Sequence, residues 1–384
     1  MLSLPPLALY VHIPWCVRKC PYCDFNSHKQ PKQLPQADYV AALLADLEQD
    51  LPLVWGRPIT SVFFGGGTPS LFSGEAIGEF LDRASALLTF RPGLEVTLET
   101  NPGTVEHDSF DAYLRAGVNR LSFGVQSFDN GCLERLGRIH DADQAERAIK
   151  LAQEAGFDNF NIDLMYALPG QSEAMALHDL ERALALSPAH LSHYQLTLEP
   201  QTPFAKQPPK GLPDHDAAWA MQERCQDALA QAGFRQYEVS AYAREGRQCA
   251  HNINYWRFGD YLGIGAGAHG KITLPAEDGI LRRWKLKHPQ SYMNAATSAA
   301  RIGGDEWIAA DRRPFDFMLN AMRLVDGFSL MDFESRTGLA RTALAKPMEA
   351  LIRKELIARD GDHVAPTELG RRFLNDVMSA FLPD

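Results

Sequence analysis

Short apolar runs alternate with amphipathic stretches through the first 200 residues of the chain. Runs that read as strands lie at 7–13, 61–64, 95–99, 120–125, 159–165 and 191–198, each compact and rich in branched or aromatic residues. Between them, apolar positions recur at helical spacing around 38–51, 73–89, 106–116, 130–156 and 172–186. Gly117 and Gly156 each close a helical stretch just before the next strand, where a left-handed C-terminal cap is expected. Strand–helix alternation predicts a parallel sheet with right-handed crossovers. Six rounds of it predict an α/β fold, a partial (β/α)6 TIM-type barrel that stops short of eight.

Beyond the sixth run the pattern changes. Residues 199–213 are proline-rich and read as a long surface loop, 214–232 as a helix, and 237–242 as one short strand. The polar segment 300–313 reads as a linker, and 314–384 as mainly helical with a winged-helix pattern. The expected organisation is a barrel over 1–200, a barrel-capping region over 201–305, and a mainly helical, winged-helix-like C-terminal domain over 306–384. The polar residues carry a second regularity. A cysteine loop follows the first strand, Gly65, Gly66, Gly67 and Thr68 follow the second, Glu99 ends the third, and Gln126 follows the fourth. Asp163 lies on the fifth and Glu199 closes the sixth. In a barrel of this type, chemistry gathers at the C-terminal ends of the strands.

Charge and length narrow the function classes. A formal net charge of −10 argues against non-specific nucleic-acid binding, which needs a basic face. The mildly basic stretches of the C-terminal region therefore read as packing or partner surface rather than a DNA contact. The chain has no run of about 18 apolar residues, the length a spanning helix needs. Its start has no basic region of a secretory signal, so a cytoplasmic location is expected. Six cysteines in 384 residues, three of them clustered, do not make a disulfide framework; Cys132, Cys225 and Cys249 read as buried structural thiols.

The cluster itself, Cys16-Val-Arg-Lys-Cys20-Pro-Tyr-Cys23, has a CxxxCxxC spacing. Three thiolates this close can hold three irons of a cubic cluster and leave the fourth open to a ligand. A zinc site closed by His28 or His12 is the alternative, because Cys3His is a common zinc set, and spacing alone does not separate the two. The glycine run after the second strand lacks the Lys-Ser or Lys-Thr of a phosphate loop, yet its bare backbone could face a small zwitterion.

Taken together, Tyr10-Val-His-Ile-Pro-Trp-Cys16, Tyr22 before Cys23, Gly65-Gly-Gly-Thr-Pro69, Glu99-Thr-Asn-Pro102, Gly124-Val-Gln-Ser127 and Asp163 resemble the radical S-adenosylmethionine (SAM) superfamily. Within it the chain resembles the group that contains oxygen-independent coproporphyrinogen III oxidase and the heme chaperone HemW. That resemblance implies a [4Fe–4S] cluster on Cys16, Cys20 and Cys23, with SAM chelating the open iron. It implies that Tyr10, Gly66 and Glu99 line the first SAM, and that Tyr22, Gly67, Thr68, Gln126, Arg138 and Asp163 match positions contacting a second SAM in the oxidase. Two departures from the oxidase stand out: Phe25 replaces a further cysteine, and the signature begins almost at the N-terminus. Both resemble the chaperone branch, as does His251-Asn-x-x-Tyr255-Trp256.

The expected function is therefore a heme chaperone that binds heme and transfers it to an acceptor hemoprotein, such as a respiratory one, with oxidative decarboxylation of coproporphyrinogen as the alternative. His251 is the first candidate heme contact and His269, in a glycine-rich turn, the second, because histidine often holds heme iron and aromatic side chains suit a porphyrin face. A homodimer and peripheral membrane association through partners are compatible with this reading.

Overall fold

The computed structural model describes residues 2–104 and 109–383. Its centre is a run of parallel strands: β1 (Leu7–Ile13), β2 (Ile59–Gly66), β3 (Phe90–Thr100), β4 (Arg120–Gln126), β5 (Phe160–Tyr166) and β6 (His190–Gln195). These strands are covered on both sides, so they read in sequence as apolar runs rather than as alternating patterns; five of the seven residues of β5 are aliphatic or aromatic. Helices α1 (Gln36–Val54), α2 (Gly74–Leu87) and α3 (Phe110–Arg115) make the first crossovers. Residues 106–108 of the expected third helix lie outside the described residues. Gly117 and Gly156 take φ of +100° and +101°, as a left-handed cap requires.

The segment expected as one helix over 130–156 is two, α4 (Asn130–Arg135) and α5 (Ala142–Glu154). Gly137 turns at φ +72° against Pro21, and Asp141 then starts α5 with a reciprocal capping box to Gln144. The interruption delivers Arg138 to the barrel mouth. After α6 (Glu173–Ala185), the sixth strand ends at Gln195, so Glu199 lies in a turn beyond it, bonded to Thr197 and Thr202. The segment 199–213 is only partly a surface loop. Pro203–Lys206 is a helical turn whose Phe204 is buried beside Tyr22.

Later residues extend the same sheet at both edges. Where one strand was expected over 237–242, the chain folds into a hairpin of β7 (Arg235–Glu238) and β8 (Ala241–Ala243), β8 pairing antiparallel with β6. Gln236 donates to the Val239 carbonyl and the Ser240 amide to Glu238, which closes the turn. Helix α7 (His215–Gln231) packs under this edge, and the helix α8 (Ala250–Trp256) carries His251. At the other edge, β9 (Asp260–Ile264) pairs parallel with β1, followed by antiparallel β10 (His269–Leu274), β11 (Gly279–Lys285) and β12 (Ile302–Trp307). The sheet thus has twelve strands among the described residues. The expected linker over 300–313 contains β12, a six-residue polar edge strand whose pattern hides it from sequence reading.

One hydrophobic core lies around the barrel strands and α1, α2, α5 and α6; a second gathers Phe258, Ile280, Phe317, Phe333, Leu351 and Val364 under the C-terminal helices and their three-stranded sheet. No described helix is long and apolar enough to cross a membrane.

A buried ionic cluster locks β11 and β12 to α1. Lys285 bonds both Asp46 and Asp50, and Arg301 meets Asp46 at 2.7 Å and Asp50 at 2.5 Å. Asp46 also accepts from Tyr292 at 2.8 Å. Each charge is fully desolvated but none is left alone, the condition under which removing one partner is costly. Asp46→Ala should therefore lower unfolding free energy in urea by about 3–5 kcal/mol, whereas Asp305→Ala, on the exposed side of Arg283, should cost less than about 1 kcal/mol.

Candidate functional site

The loop between β1 and α1 is a closed lasso. Trp15–Cys16 pairs in parallel with His28–Lys29, and the Cys23 amide donates to the Cys20 carbonyl at 3.2 Å. The Asn26 carbonyl accepts from His12 Nε2 at 2.9 Å, and its side-chain amide donates to the carbonyls of Ala266 and Lys287, both at 2.9 Å. Cys16, Cys20 and Cys23 are free thiols on this loop, and all three face one cavity of about 330 Å³. Gly66, Gly67, Thr68, Glu99, Gln126, Arg138 and Asp163 line the same cavity, with Tyr22. Strand-end position, and for Tyr22 and Arg138 the family resemblance, placed these residues at the barrel mouth, where they converge; Tyr10, expected beside Gly66 and Glu99, lines an adjoining cavity instead.

The two glycines have a packing reason as well. Gly66 has φ +114°, and a Cβ on it would lie 2.5 Å from the His12 ring; a Cβ on Gly67 would lie 2.5 Å from the Trp15 carbonyl oxygen. Only glycine lets β2 end this close to β1. Thr68 Oγ1 donates to Cys16 Sγ at 3.4 Å, and Arg138 Nη1 lies 3.7 Å from Cys20 Sγ and 3.4 Å from the Tyr22 hydroxyl. Arg138 is a fixed cation beside thiols whose ionised forms burial disfavours: burial pushes Cys16 and Cys23 up. Three thiolates need such compensation.

Burial shifts the acid–base groups around this mouth toward their neutral forms. Burial first, then the Asp163 carboxylate, pushes Glu99 from 4.5 up to about 8, while the Gly66 amide donates to it at 3.2 Å. Burial raises the Tyr10 phenol, and pulls His12 down to about 4. Tyr10 sits 3.0 Å from His12 Nδ1, so His12 accepts there and donates through Nε2 to Asn26. Asp163, also raised by burial, accepts from Asn161 at 2.7 Å and Ser122 at 3.3 Å. Gln126 takes φ +74°, an unfavourable conformation for a side chain, and accepts from Tyr194 at 2.9 Å. Tyr194 was missed in sequence because the sixth strand was read three residues too long.

A single-ion zinc site is not built here. His12 is committed to Tyr10 and Asn26, and His28 to Asn26 and Lys287. Among the described residues, no three His, Cys, Asp or Glu side chains converge closely enough for one ion. Three thiols spread along one cavity wall suit the corners of a larger cluster.

A second cavity of about 750 Å³ adjoins the first; Lys19, Phe25, Ser27, Gly66 and Glu99 line both. Tyr10, Tyr255, Trp256 and Tyr261 give it an aromatic wall, and His269, Arg282 and Lys287 a basic one. His269 is exposed into it. His251 is not in its wall: it is 1% exposed, with Nδ1 3.0 Å from Ser61 and Nε2 2.9 Å from the Tyr255 hydroxyl. One turn of α8 separates His251 from Tyr255, so the histidine stands behind the tyrosine that faces the cavity. Glu95 fixes this helix by accepting from the amides of Ala250 and His251 at 3.1 and 3.2 Å. Tyr261, Arg282 and Lys287 were missed in sequence, since they come from β9, β11 and the bend after β11 without a motif.

A model of the radical SAM superfamily matches residues 10–183, and one of the HemN C-terminal domain matches residues 308–373. The chain is 47% identical to heme chaperone HemW of Haemophilus influenzae over 388 residues, spanning all of both chains. It is 48% identical over 385 residues to heme chaperone HemW of Escherichia coli, again spanning both. The solved structure of coproporphyrinogen III oxidase (HemN) from Escherichia coli superposes with a TM-score of 0.81 over 98% of this chain and 90% of its own, at 22% identity, a likeness of fold.

The raised Glu99 has a measurable consequence. Folding makes it hold a proton that the unfolded chain releases between pH 4.5 and about 8. Its contribution is present at the acidic end and is lost as pH climbs through that window. In the absence of cofactors, Glu99→Gln should therefore lose less stability than the native chain between pH 5 and 8, as followed by urea denaturation at each pH.

Proposed function

We propose that this chain, which belongs to the HemW family of the radical SAM superfamily, binds heme and passes it to an acceptor hemoprotein in the cytoplasm, while carrying a [4Fe–4S] cluster and SAM at its barrel mouth. The observation that carries this reading is the pair of adjoining cavities, one lined by thiols and polar groups, the other by aromatic and basic groups.

In the smaller cavity, Cys16, Cys20 and Cys23 would hold the cluster and Gly66 and Glu99 would face SAM, with Tyr10 reaching it from the adjoining cavity. Tyr22, Gly67, Thr68, Gln126, Arg138 and Asp163 complete the same wall and suit the rest of that cofactor or a second copy of it. When bound, the pair supplies one-electron chemistry at a sulfonium, which is the cofactors' own. The residues' part is to orient and to balance charge: Arg138 beside Cys20, and neutral Glu99 beside the Gly66 amide.

The larger cavity falls within the usual size of ligand pockets, about 300–1,000 Å³, and its aromatic wall suits a porphyrin face. His269, neutral because burial and then Lys287 and Arg282 lower its pKa, offers an imidazole to the iron. His251 acts through Tyr255, whose hydroxyl it fixes. Phe25, 60% exposed between the cavities, stands where the oxidase carries a further cysteine, which favours carrier over oxidase.

Anaerobically reconstituted protein titrated with heme should develop a heme absorption band saturating at one heme per chain. Cys20→Ala should lose the cluster's absorbance yet retain heme binding. No heme band, with or without SAM, contradicts the carrier reading; formation of protoporphyrinogen from coproporphyrinogen with reductant and SAM would put the oxidase in its place.

A further inference from the structure

We propose that the larger cavity selects its cargo by two carboxylates, with Lys19, Arg282 and Lys287 forming a basic clamp for a planar, dianionic tetrapyrrole. The inference rests on the carrier reading above and adds to it the feature of the ligand that the protein recognises.

The chain carries a formal charge of −10, yet these three cations meet in one cavity wall. Lys19 and Lys287 are exposed, and among the described residues neither has a carboxylate partner within ion-pair distance. The Lys19 ammonium donates to the Phe25 carbonyl at 2.9 Å. Arg282 lies 3.4 Å from Asp316, an acid it shares with Arg312. Lys271, the other cation of the cavity, is already neutralised by Asp260 at 2.8 Å. Of the cavity's own acids, Glu99 holds a proton at neutral pH, leaving Asp24.

The three cations line this cavity together with His28 and His269. After burial, Lys287 and Arg282 lower His269, and His288 and Lys19 lower His28. The spacing of the clamp is fixed by backbone contacts. Asn26 and His28 bond the Lys287 carbonyl at 2.9 and 3.2 Å, tying the segment that bears Lys287 to the loop that bears Lys19. Arg282 projects from β11, two strands from β9, which supplies Tyr261 to the aromatic wall. With the backbones held, binding need order only the two lysine side chains, and a partly enclosed site screens charge less than open surface does.

The test uses cluster-loaded protein titrated anaerobically with heme and with heme dimethyl ester, whose two carboxylates are capped. The native chain should bind the ester about tenfold more weakly than heme. Lys19→Glu/Lys287→Glu should bind heme about tenfold more weakly than the native chain and discriminate little between the two ligands. Both lysines are exposed, so an unchanged thermal transition will show the variant is folded. Equal binding of heme and ester by the native chain overturns the clamp and leaves the carrier reading intact, as does undiminished heme binding by the folded variant. Binding of neither ligand by the native chain overturns the carrier reading itself and the clamp with it.

Discussion

Asn26 is the residue on which both cavities depend. Its carbonyl is tied to His12 at the end of β1, and its amide to Ala266, just after the neighbouring β9, and to Lys287, just after β11. A Cβ on Gly267 would lie 2.2 Å from that amide, so only glycine at this turn, with φ +77°, lets Asn26 enter. Through these bonds a loop of fourteen residues, 16–29, becomes a wall with two faces. One face presents three thiols to the barrel mouth; the other presents Lys19 and Asn26 to the larger space. The turn is itself anchored from below, since Tyr39 bonds the His12 carbonyl and the Ala266 amide, both at 2.8 Å, and Asp46 accepts from the Gly265 amide at 3.3 Å. The ionic cluster around Asp46 therefore supports the same wall from the core.

The electrostatics of the mouth follow from burial. Glu99, Asp163, Tyr10 and His12 are all shifted toward their neutral forms by desolvation first. Arg138 is the exception: despite its burial, Tyr22 and Cys20 hold its charge. The protein thus offers Arg138, with Arg18 and Lys19 of the cysteine loop, as cations where thiolate charge accumulates, and elsewhere groups shifted toward their neutral forms. Such a site favours a ligand that brings its own charge, which is how a sulfonium and an anionic cluster complement each other.

Much of this was legible in the sequence, for physical reasons. Strands such as β1, β2 and β5 are buried along nearly their whole length and survive as apolar runs, and the parallel arrangement forces the polar ends of the strands to one mouth; Cys16, Glu99 and Asp163 could be placed together on that ground. What sequence hid was pairing between distant polar residues. Asp46, Asp50, Lys285 and Arg301 look like solvated charges until the fold brings them together, and with them β12 looked like a linker. His251 was read as facing a ligand because His-Asn-x-x-Tyr-Trp looks like a binding motif; helical spacing instead points it at Ser61 and Tyr255. The larger cavity draws Tyr261 from β9, Arg282 from β11 and Lys287 from the bend after it, and no local pattern marks such a set.

The account holds that the two cavities are neighbours with a common wall, so their ligands bind together. Anaerobic equilibrium dialysis of cluster-loaded protein against labelled SAM and heme tests this directly. At saturation in both, the retentate should hold one heme alongside its full complement of SAM. Stoichiometric loss of SAM as heme is taken up would show a single shared site and contradict it.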